Sequence, residues 1–310
     1  MNIVYMGTPD FAVPPLLALC ESGKTPVLTV TGPDRRRDRG KRMQSPPVKE
    51  LSIAYGIPVM QPETLRDDAA FLESLKSTSP DLIVVAAYGK ILPKEILDLP
   101  CFGSVNIHAS LLPAYRGAAP IQRAVLDGAR ETGVTLMYMA ERMDAGDIMS
   151  AKKTEIGNKT AGDLFEELSR MGAELLTEML PLIEAGRAPR RPQDESEASY
   201  APMIRKEEAH VDFSKGPRAV CNLIRGMNPR PTAFAHCGDT VLKLWEAIPK
   251  PLDAPSQPAG TVLSVSDDGI SVVAGDGAVL ITAMQAPGKR PMRTAEYLRG
   301  NKMCPGVVLY

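Results

Sequence analysis

Leu82-Ile83-Val84-Val85-Ala86-Ala87 is an unbroken apolar run, with no polar residue every second position. A strand with one wet face alternates, whereas a strand covered on both faces does not. The run therefore reads as a central strand of a parallel sheet, and such a sheet requires helices on both sides. The neighbouring sequence fits. Asn2–Gly7 is a second apolar run ending in Gly. Thr8-Pro9-Asp10 is a turn or cap, and Phe11–Ser22 carries apolar residues at helical spacing. Val27–Thr31 is a strand, Ser45-Pro46-Pro47 opens a helix through Tyr55, and Pro58–Gln61 is a short strand. Val105–Ile107 and Val134–Tyr138 continue the strands, and Thr160–Ala185 is a long amphipathic helix. Strands alternating with helices predict an α/β domain with a Rossmann-like, doubly wound, mostly parallel sheet. The ligand site of such a sheet lies at the carboxyl ends of the strands.

The pattern changes past the long helix. Gly186–Arg205 mixes three arginines in its first half, acidic and amide residues, and three prolines without apolar period, and reads as a linker. Val211–Phe213, Thr240–Trp245, Gly260–Val265, Gly269–Ala274 and Ala278–Ala283 are short alternating runs separated by Gly or Asp turns. They predict a small OB-like β-barrel, with Trp245 in its core. The expected organisation is a catalytic domain over 1–187, a linker over 188–205 and the barrel over 206–310, in keeping with a chain of 310 residues.

Bulk properties exclude several classes. Net charge is −1, so no global field attracts nucleic acid and any such surface is local. Five cysteines without a C-x-x-C argue against a disulfide framework or a zinc site. No apolar run approaches the roughly 20 residues that a membrane-crossing helix needs. The expectation is a cytoplasmic protein with no membrane partner, and nothing in the sequence demands more than a monomer.

The chemistry concentrates between Ser104 and Asp147. Asn106 and His108 are two apart on a strand, so their side chains share a face. Ser110-Leu111-Leu112-Pro113 then ends the pairing, because Pro has no N–H to give a ladder. Asp144 lies in Met143-Asp144-Ala145-Gly146-Asp147, after the next long strand. If that strand is parallel, the loop falls beside the end of the Asn106–His108 strand. Taken alone, His108 would read as a core histidine tied to a backbone carbonyl. With an amide and a carboxylate in register it suits acyl transfer to an amine without a covalent intermediate. Amide and imidazolium donate to a developing oxyanion, and the carboxylate turns the ring and helps move a proton. Arg116-Gly117 reads as a turn whose arginine pairs locally. The first strand lacks a following G-x-G-x-x-G, so the dinucleotide fingerprint is absent.

Asn-x-His, Ser-Leu-Leu-Pro, Arg116-Gly-Ala-Ala-Pro-Ile-Gln122 and Asp144-x-Gly-Asp147 together resemble the folate-dependent formyltransferases. Met6–Phe11, Pro33-Asp34 with Arg39-Gly40-Lys41, Ser45–Lys49, Ala87–Pro93, Asn228-Pro229-x-Pro231 and Ala286–Lys289 resemble the branch that acts on methionyl-tRNA. The similarity covers essentially the whole chain. It departs at Ala114 and Tyr115, where a basic residue and Trp are common, and at Arg230, where Trp is usual. The resemblance implies that Asn106, His108 and Asp144 are catalytic. It implies that Ser110, Leu111, Leu112 and Pro113 flank the folate, and that the loop with Tyr88, Gly89, Ile91 and Leu92 forms a pterin pocket from backbone groups. It further implies 10-formyltetrahydrofolate as donor, no metal, and charged initiator tRNA as acceptor, in translation initiation.

One loop has a physical reading of its own. Asp34–Arg42 carries a net +4 over nine residues around a flexible Gly40. Arg36, Arg37, Arg39, Lys41 and Arg42 are the expected tRNA contacts, since such a loop grips phosphates; the alternative is a merely solvated turn. From Lys206 onward there are twelve Lys and Arg against ten Asp and Glu, a weak excess.

Overall fold

The computed structural model describes residues 1–37, 42–252 and 256–310. The chain divides into two compact units. The first comprises 1–120, 132–154 and 165–201, and the second 121–131, 155–164 and 202–310.

In chain order the elements of the first part are β1 (Ile3–Gly7), α1 (Val13–Glu21), β2 (Leu28–Val30), β3 (Arg35–Arg37), β4 (Arg42–Gln44), α2 (Pro47–Ala54), β5 (Val59–Met60) and α3 (Ala69–Ser77). They continue with β6 (Leu82–Ala86), α4 (Lys94–Leu97), β7 (Ser104–His108), α5 (Pro120–Leu126), β8 (Glu131–Tyr138), β9 (Ile148–Glu155) and α6 (Ala161–Glu184). Seven strands form one sheet in the order β5-β2-β1-β6-β7-β8-β9. The pairs from β5 to β7 are parallel, as the unbroken apolar runs require, and every residue of β1 and β6 is buried. The β7–β8 pair is antiparallel, with His108 opposite Thr135 and Val105 opposite Tyr138. The expectation of a parallel β8 is therefore corrected. Val134–Tyr138 is as apolar as the parallel strands, because β8 is also an inner strand, and burial pattern alone does not encode direction.

Face assignment follows from register. Val4, Met6, Ile83 and Val85 pack with Phe71 and Leu75 of α3 and Ile96 and Leu97 of α4. On the other face Tyr5 donates its buried hydroxyl to the Ala12 carbonyl at 2.6 Å. There Phe11 meets Phe165 of α6 edge-on, with ring centroids 5.4 Å apart. Gly172 lets α6 press onto β7, since a Cβ there would stand 2.6 Å from Ile107 Cγ2. Ile107 thus faces α6, and Asn106, paired with Val85, faces the opposite side with His108.

Strand order reverses between β1 and β6, because the chain runs outward through β2 and β5 before crossing back. The loops at the carboxyl ends of these two strands lie at the switch point, where open α/β sheets bind ligands. Thr8 joins those loops by donating to the Tyr88 carbonyl at 3.2 Å and accepting from the Gly32 N–H at 3.2 Å.

The second unit holds α7 (Pro217–Gly226), β10 (Ala233–Cys237), β11 (Thr240–Lys250), β12 (Val262–Ser266), β13 (Gly269–Ala274), β14 (Gly277–Gln285), β15 (Met292–Arg293) and α8 (Thr294–Gly300). The strands form an antiparallel sheet in the order β10-β11-β14-β13-β12, with β15 on β14. Its core includes Leu242, Leu244, Val272, Ile281 and Met284, with Val220 and Ile224 of α7. Val211–Phe213 is not a strand; Val211 contributes one bond to the Phe234 carbonyl. Trp245 is half-buried at a register shift in β11, its indole N–H on Gln285, so it is not a core residue of this sheet. The last residues bond on one side to Gly260 and Val262 and on the other to His236.

Candidate active site

His108 ends β7 and is only 5% exposed. Its Nε2 lies 2.9 Å from the Tyr115 carbonyl oxygen and its Nδ1 lies 3.7 Å from Asp144 Oδ2. Both ring nitrogens thus face oxygen. One nitrogen is tied to backbone, as in the core-histidine reading, and the other is turned to a carboxylate. Asn106, two residues earlier on the same face, is half-buried, and its amide has no hydrogen-bond partner among the described residues.

Asp144 reaches His108 by a route the sequence does not reveal. Since β8 runs antiparallel to β7, it ends beside the start of β7, where Met139 N–H meets the Ser104 carbonyl at 2.8 Å. The loop after it, rather than a neighbouring strand end, carries the carboxylate to the ring. Several bonds fix that loop. Asp144 Oδ2 accepts the Gly117 N–H at 2.8 Å, and the Gln193 amide donates to the carbonyls of Asp144 and Gly146 at 2.8 and 2.7 Å. Asp144 itself sits at φ +51°, a left-handed conformation that a non-glycine residue holds only when its surroundings enforce it.

Arg116 does not pair locally. It is fully buried, and its guanidinium donates to Gln193 Oε1 at 3.0 and 2.8 Å and bidentately to Glu195 at 3.2 and 3.0 Å. Residues read as linker are therefore held against the first unit. Arg191 pairs with Ile148 and Tyr200 with Arg116 through backbone bridges as well. Sequence reasoning missed Gln193 and Glu195, whose polarity is that of any exposed connection.

The Ser110–Pro113 turn is braced from within. Ser110 is fully buried and donates to the Ala114 carbonyl at 2.6 Å, so its hydroxyl is engaged within the turn. Thr135 donates to the Ser110 carbonyl at 2.6 Å and accepts the Leu112 N–H at 3.1 Å, binding the turn to β8 beside His108. Leu112 is buried, while Leu111 and Pro113 are half-buried.

In the switch-point loop the side chains of Tyr88 and Leu92 point into the core, and Gly89 and Ile91 are exposed. The space where Gly89 would carry a Cβ is open, and its φ is +80°. The buried Tyr88 hydroxyl has no hydrogen-bond partner among the described residues, and burial pushes it up to about 12. A buried orphan polar group costs about 1–3 kcal/mol. Tyr88→Phe is therefore expected to raise the melting temperature by about 2–4 °C. The raised value also has a pH signature. This contribution is complete below pH 10 and is lost as pH climbs toward 12, because the unfolded chain releases the proton first. Melting curves between pH 8 and 11.5 check both: the alkaline loss is expected to be smaller in Tyr88→Phe.

Of the basic loop, Arg39 and Lys41 lie outside the described residues. The backbones of Arg36, Arg37 and Arg42 belong to the β3–β4 hairpin, and their side chains are likewise outside the description. At the base of the loop Lys49 and Gln61 grip Asp34, and Lys49 bonds at 2.7 Å and 2.9 Å to its two carboxylate oxygens. The Lys49 and Gln61 bonds hold the Asp34 carboxyl below its usual range. A cavity of about 340 Å³ lined by Lys94, Ser104, Tyr138, Glu141 and Arg190, among others, touches none of the expected site residues; it opens at the start of β7, away from His108. Among the described residues no group of His, Cys, Asp or Glu could hold a metal ion. No helix there is long and apolar enough to cross a membrane.

Residues 1–180 match the formyl transferase family and residues 203–302 match the formyl transferase C-terminal domain. The methionyl-tRNA formyltransferase of Clostridioides difficile is 47% identical over 100% of both chains. That of Moorella thermoacetica is 48% identical over 100% of this chain and 99% of its own. The chain belongs to the methionyl-tRNA formyltransferase family. A solved structure of HypX from Aquifex aeolicus in complex with tetrahydrofolic acid shares the fold, with a TM-score of 0.64 and 21% identity. It covers 98% of this formyltransferase and 49% of that chain, so the present chain spans about half of that protein.

Proposed function

We propose that this formyltransferase moves a formyl group from 10-formyltetrahydrofolate to the α-amino group of methionine on charged initiator tRNA, in the cytoplasm, in support of translation initiation. The observation that carries the chemistry is the convergence of His108 and Asp144, 3.7 Å apart, on the face that presents the Asn106 amide, which has no hydrogen-bond partner among the described residues. The acceptor amine attacks the formyl carbon, the new N–C bond forms, and charge moves onto the formyl oxygen. The Asn106 amide donates to that oxygen, and the His108 ring does so as Nε2 exchanges the Tyr115 carbonyl for it while Nδ1 stays toward Asp144. Asp144 keeps the imidazole oriented and helps transfer the proton from the attacking amine to the departing nitrogen of the donor as that C–N bond breaks.

The donor fits the switch-point loops. Open space beside Gly89 and the exposed apolar surface of Ile91, 62% accessible, suit a flat ring read by backbone groups. Tyr88 and Leu92 shape that loop from the core side, as Ser110 and Leu112 shape the Ser110–Pro113 turn, with Leu111 and Pro113 nearer its surface. The domains are assigned as 1–187 catalytic, 188–205 connecting and 206–310 tRNA-binding. The C-terminal unit is read as OB-like, which the bonds of residues 307–310 to both Val262 and His236 support, since they bridge the two ends of an otherwise open sheet. Arg36, Arg37, Arg39, Lys41 and Arg42 approach the acceptor stem, and the loop's net charge supports that reading.

Labelled formyl transfer tests the proposal. The purified chain is given labelled 10-formyltetrahydrofolate with methionyl initiator tRNA, methionyl elongator tRNA, or a nucleotide-linked amino sugar. Label on the initiator tRNA is expected. Label on the sugar alone, or on no amine, contradicts the assignment.

A further inference from the structure

Asp144 stands in a left-handed conformation, which an aspartate visits more readily than most residues but in which bonds to the surrounding chain hold it. What enforces it is a chain of bonds through residues distant in sequence. Gln193 donates both amide hydrogens to the carbonyls of Asp144 and Gly146. Its oxygen accepts from Nε and Nη2 of the buried Arg116, which fixes which way the amide points. The guanidinium is held in turn by Glu195, which also meets Arg142 at 2.9 Å. The residue after Arg116 is Gly117, whose N–H bonds to the Asp144 carboxylate. One buried cation thus fixes the loop from two directions, through Gln193 on the backbone and through Gly117 on the side chain.

We infer that Gln193, backed by Arg116, is a positioning residue for Asp144. It touches neither substrate nor the reacting atoms; it sets the distance between the carboxylate and the His108 ring. The inference rests on the catalytic reading of Asp144. The side-chain chemistry makes it sharp. Glutamate at 193 keeps the shape and the pairing with Arg116 but turns an acceptor toward two carbonyl acceptors. Methionine keeps the length and removes both functions.

Steady-state formyl transfer by the full chain is measured for Gln193→Met, Gln193→Glu, Asp144→Asn and the double variant Asp144→Asn with Gln193→Met, beside thermal melts. Misplacement on the order of 1 Å costs about 10²-fold. Each Gln193 variant is therefore expected to lose about that factor in kcat with KM for both substrates nearly unchanged. On the Asp144→Asn background the same Gln193→Met change is expected to cost almost nothing further, because the two act through one group. A full repeat of the loss on that background means a general structural role and overturns the inference, as does a kcat within about twofold of the parent in the single variants. If Gln193→Met fails to fold, Gln193→Glu carries the comparison in both backgrounds. Asp144→Asn alone reports on the catalytic reading: parental activity there removes that reading, whereas a large loss there with silent Gln193 variants removes only the inference.

Discussion

His108→Ala is expected to lower kcat/KM for formyl transfer by about 10²–10⁴-fold, the range for losing a positioned acid–base group. The geometry explains why no neighbour substitutes. The imidazole is the group placed 3.7 Å from Asp144, and the substitution strands that carboxylate against the Gly117 N–H alone. It also leaves the Tyr115 carbonyl without the donor it meets at 2.9 Å. The loss should fall on kcat with little change in KM for the tRNA, because the interaction belongs to the transition state. Rates on both substrates, with circular dichroism to verify folding, check this. A loss below about tenfold would mean that the oxyanion is met elsewhere.

The second large effect is expected at Gly146. A Cβ there would stand 1.9 Å from the Tyr138 carbonyl oxygen and 2.9 Å from its carbon, both backbone atoms that cannot swing aside. Tyr138 N–H also bonds the Asp147 carbonyl at 2.9 Å, so the two ends of the loop are laced together where the methyl would intrude. Gly146→Ala must therefore move the loop, and with it Asp144 two residues away. The expected result is a fall in kcat of about 10²-fold with a stability loss of about 1–3 kcal/mol from the forced contact. Ala145→Gly, one residue away, serves as the comparison that alters the same loop without adding an atom. Parental kcat in Gly146→Ala would show that the position of Asp144 does not limit the reaction.

The sequence made the central sheet legible because burial on both faces erases alternation, and the 82–87 run has no other economical reading in an α/β chain. It made the partnership of Asn106 and His108 legible because spacing of two on a strand is a geometric statement. It did not make the approach of Asp144 legible. Strand direction has no signature in an apolar run, so the antiparallel β8 was read as parallel although the loop after it still reaches His108. Nor was the internal bond of the Ser110 hydroxyl legible, since a buried serine looks the same in sequence as an exposed one. Arg116, Gln193 and Glu195 were hidden for another reason. Their pairing joins positions far apart in the chain, and a polar, proline-rich stretch resembles a free connection until its partners are known. In the second unit the bounds expected for β13 match the strand, whose six residues are all buried rather than alternating. The helix α7 and the strand β10 were missed, because a short amphipathic helix and a five-residue strand sit between prominent turns.

In the proposed mechanism, amide, imidazole and carboxylate surround one carbonyl-sized position. The most direct measurement is a crystal structure of the protein with a stable formyl-bearing folate analogue. The formyl oxygen is expected at about 3 Å from Asn106 Nδ2 and from a ring nitrogen of His108, with the pterin ring against the loop at Gly89 and Ile91. A folate seated elsewhere, with its formyl group out of hydrogen-bond reach of both side chains, would contradict it.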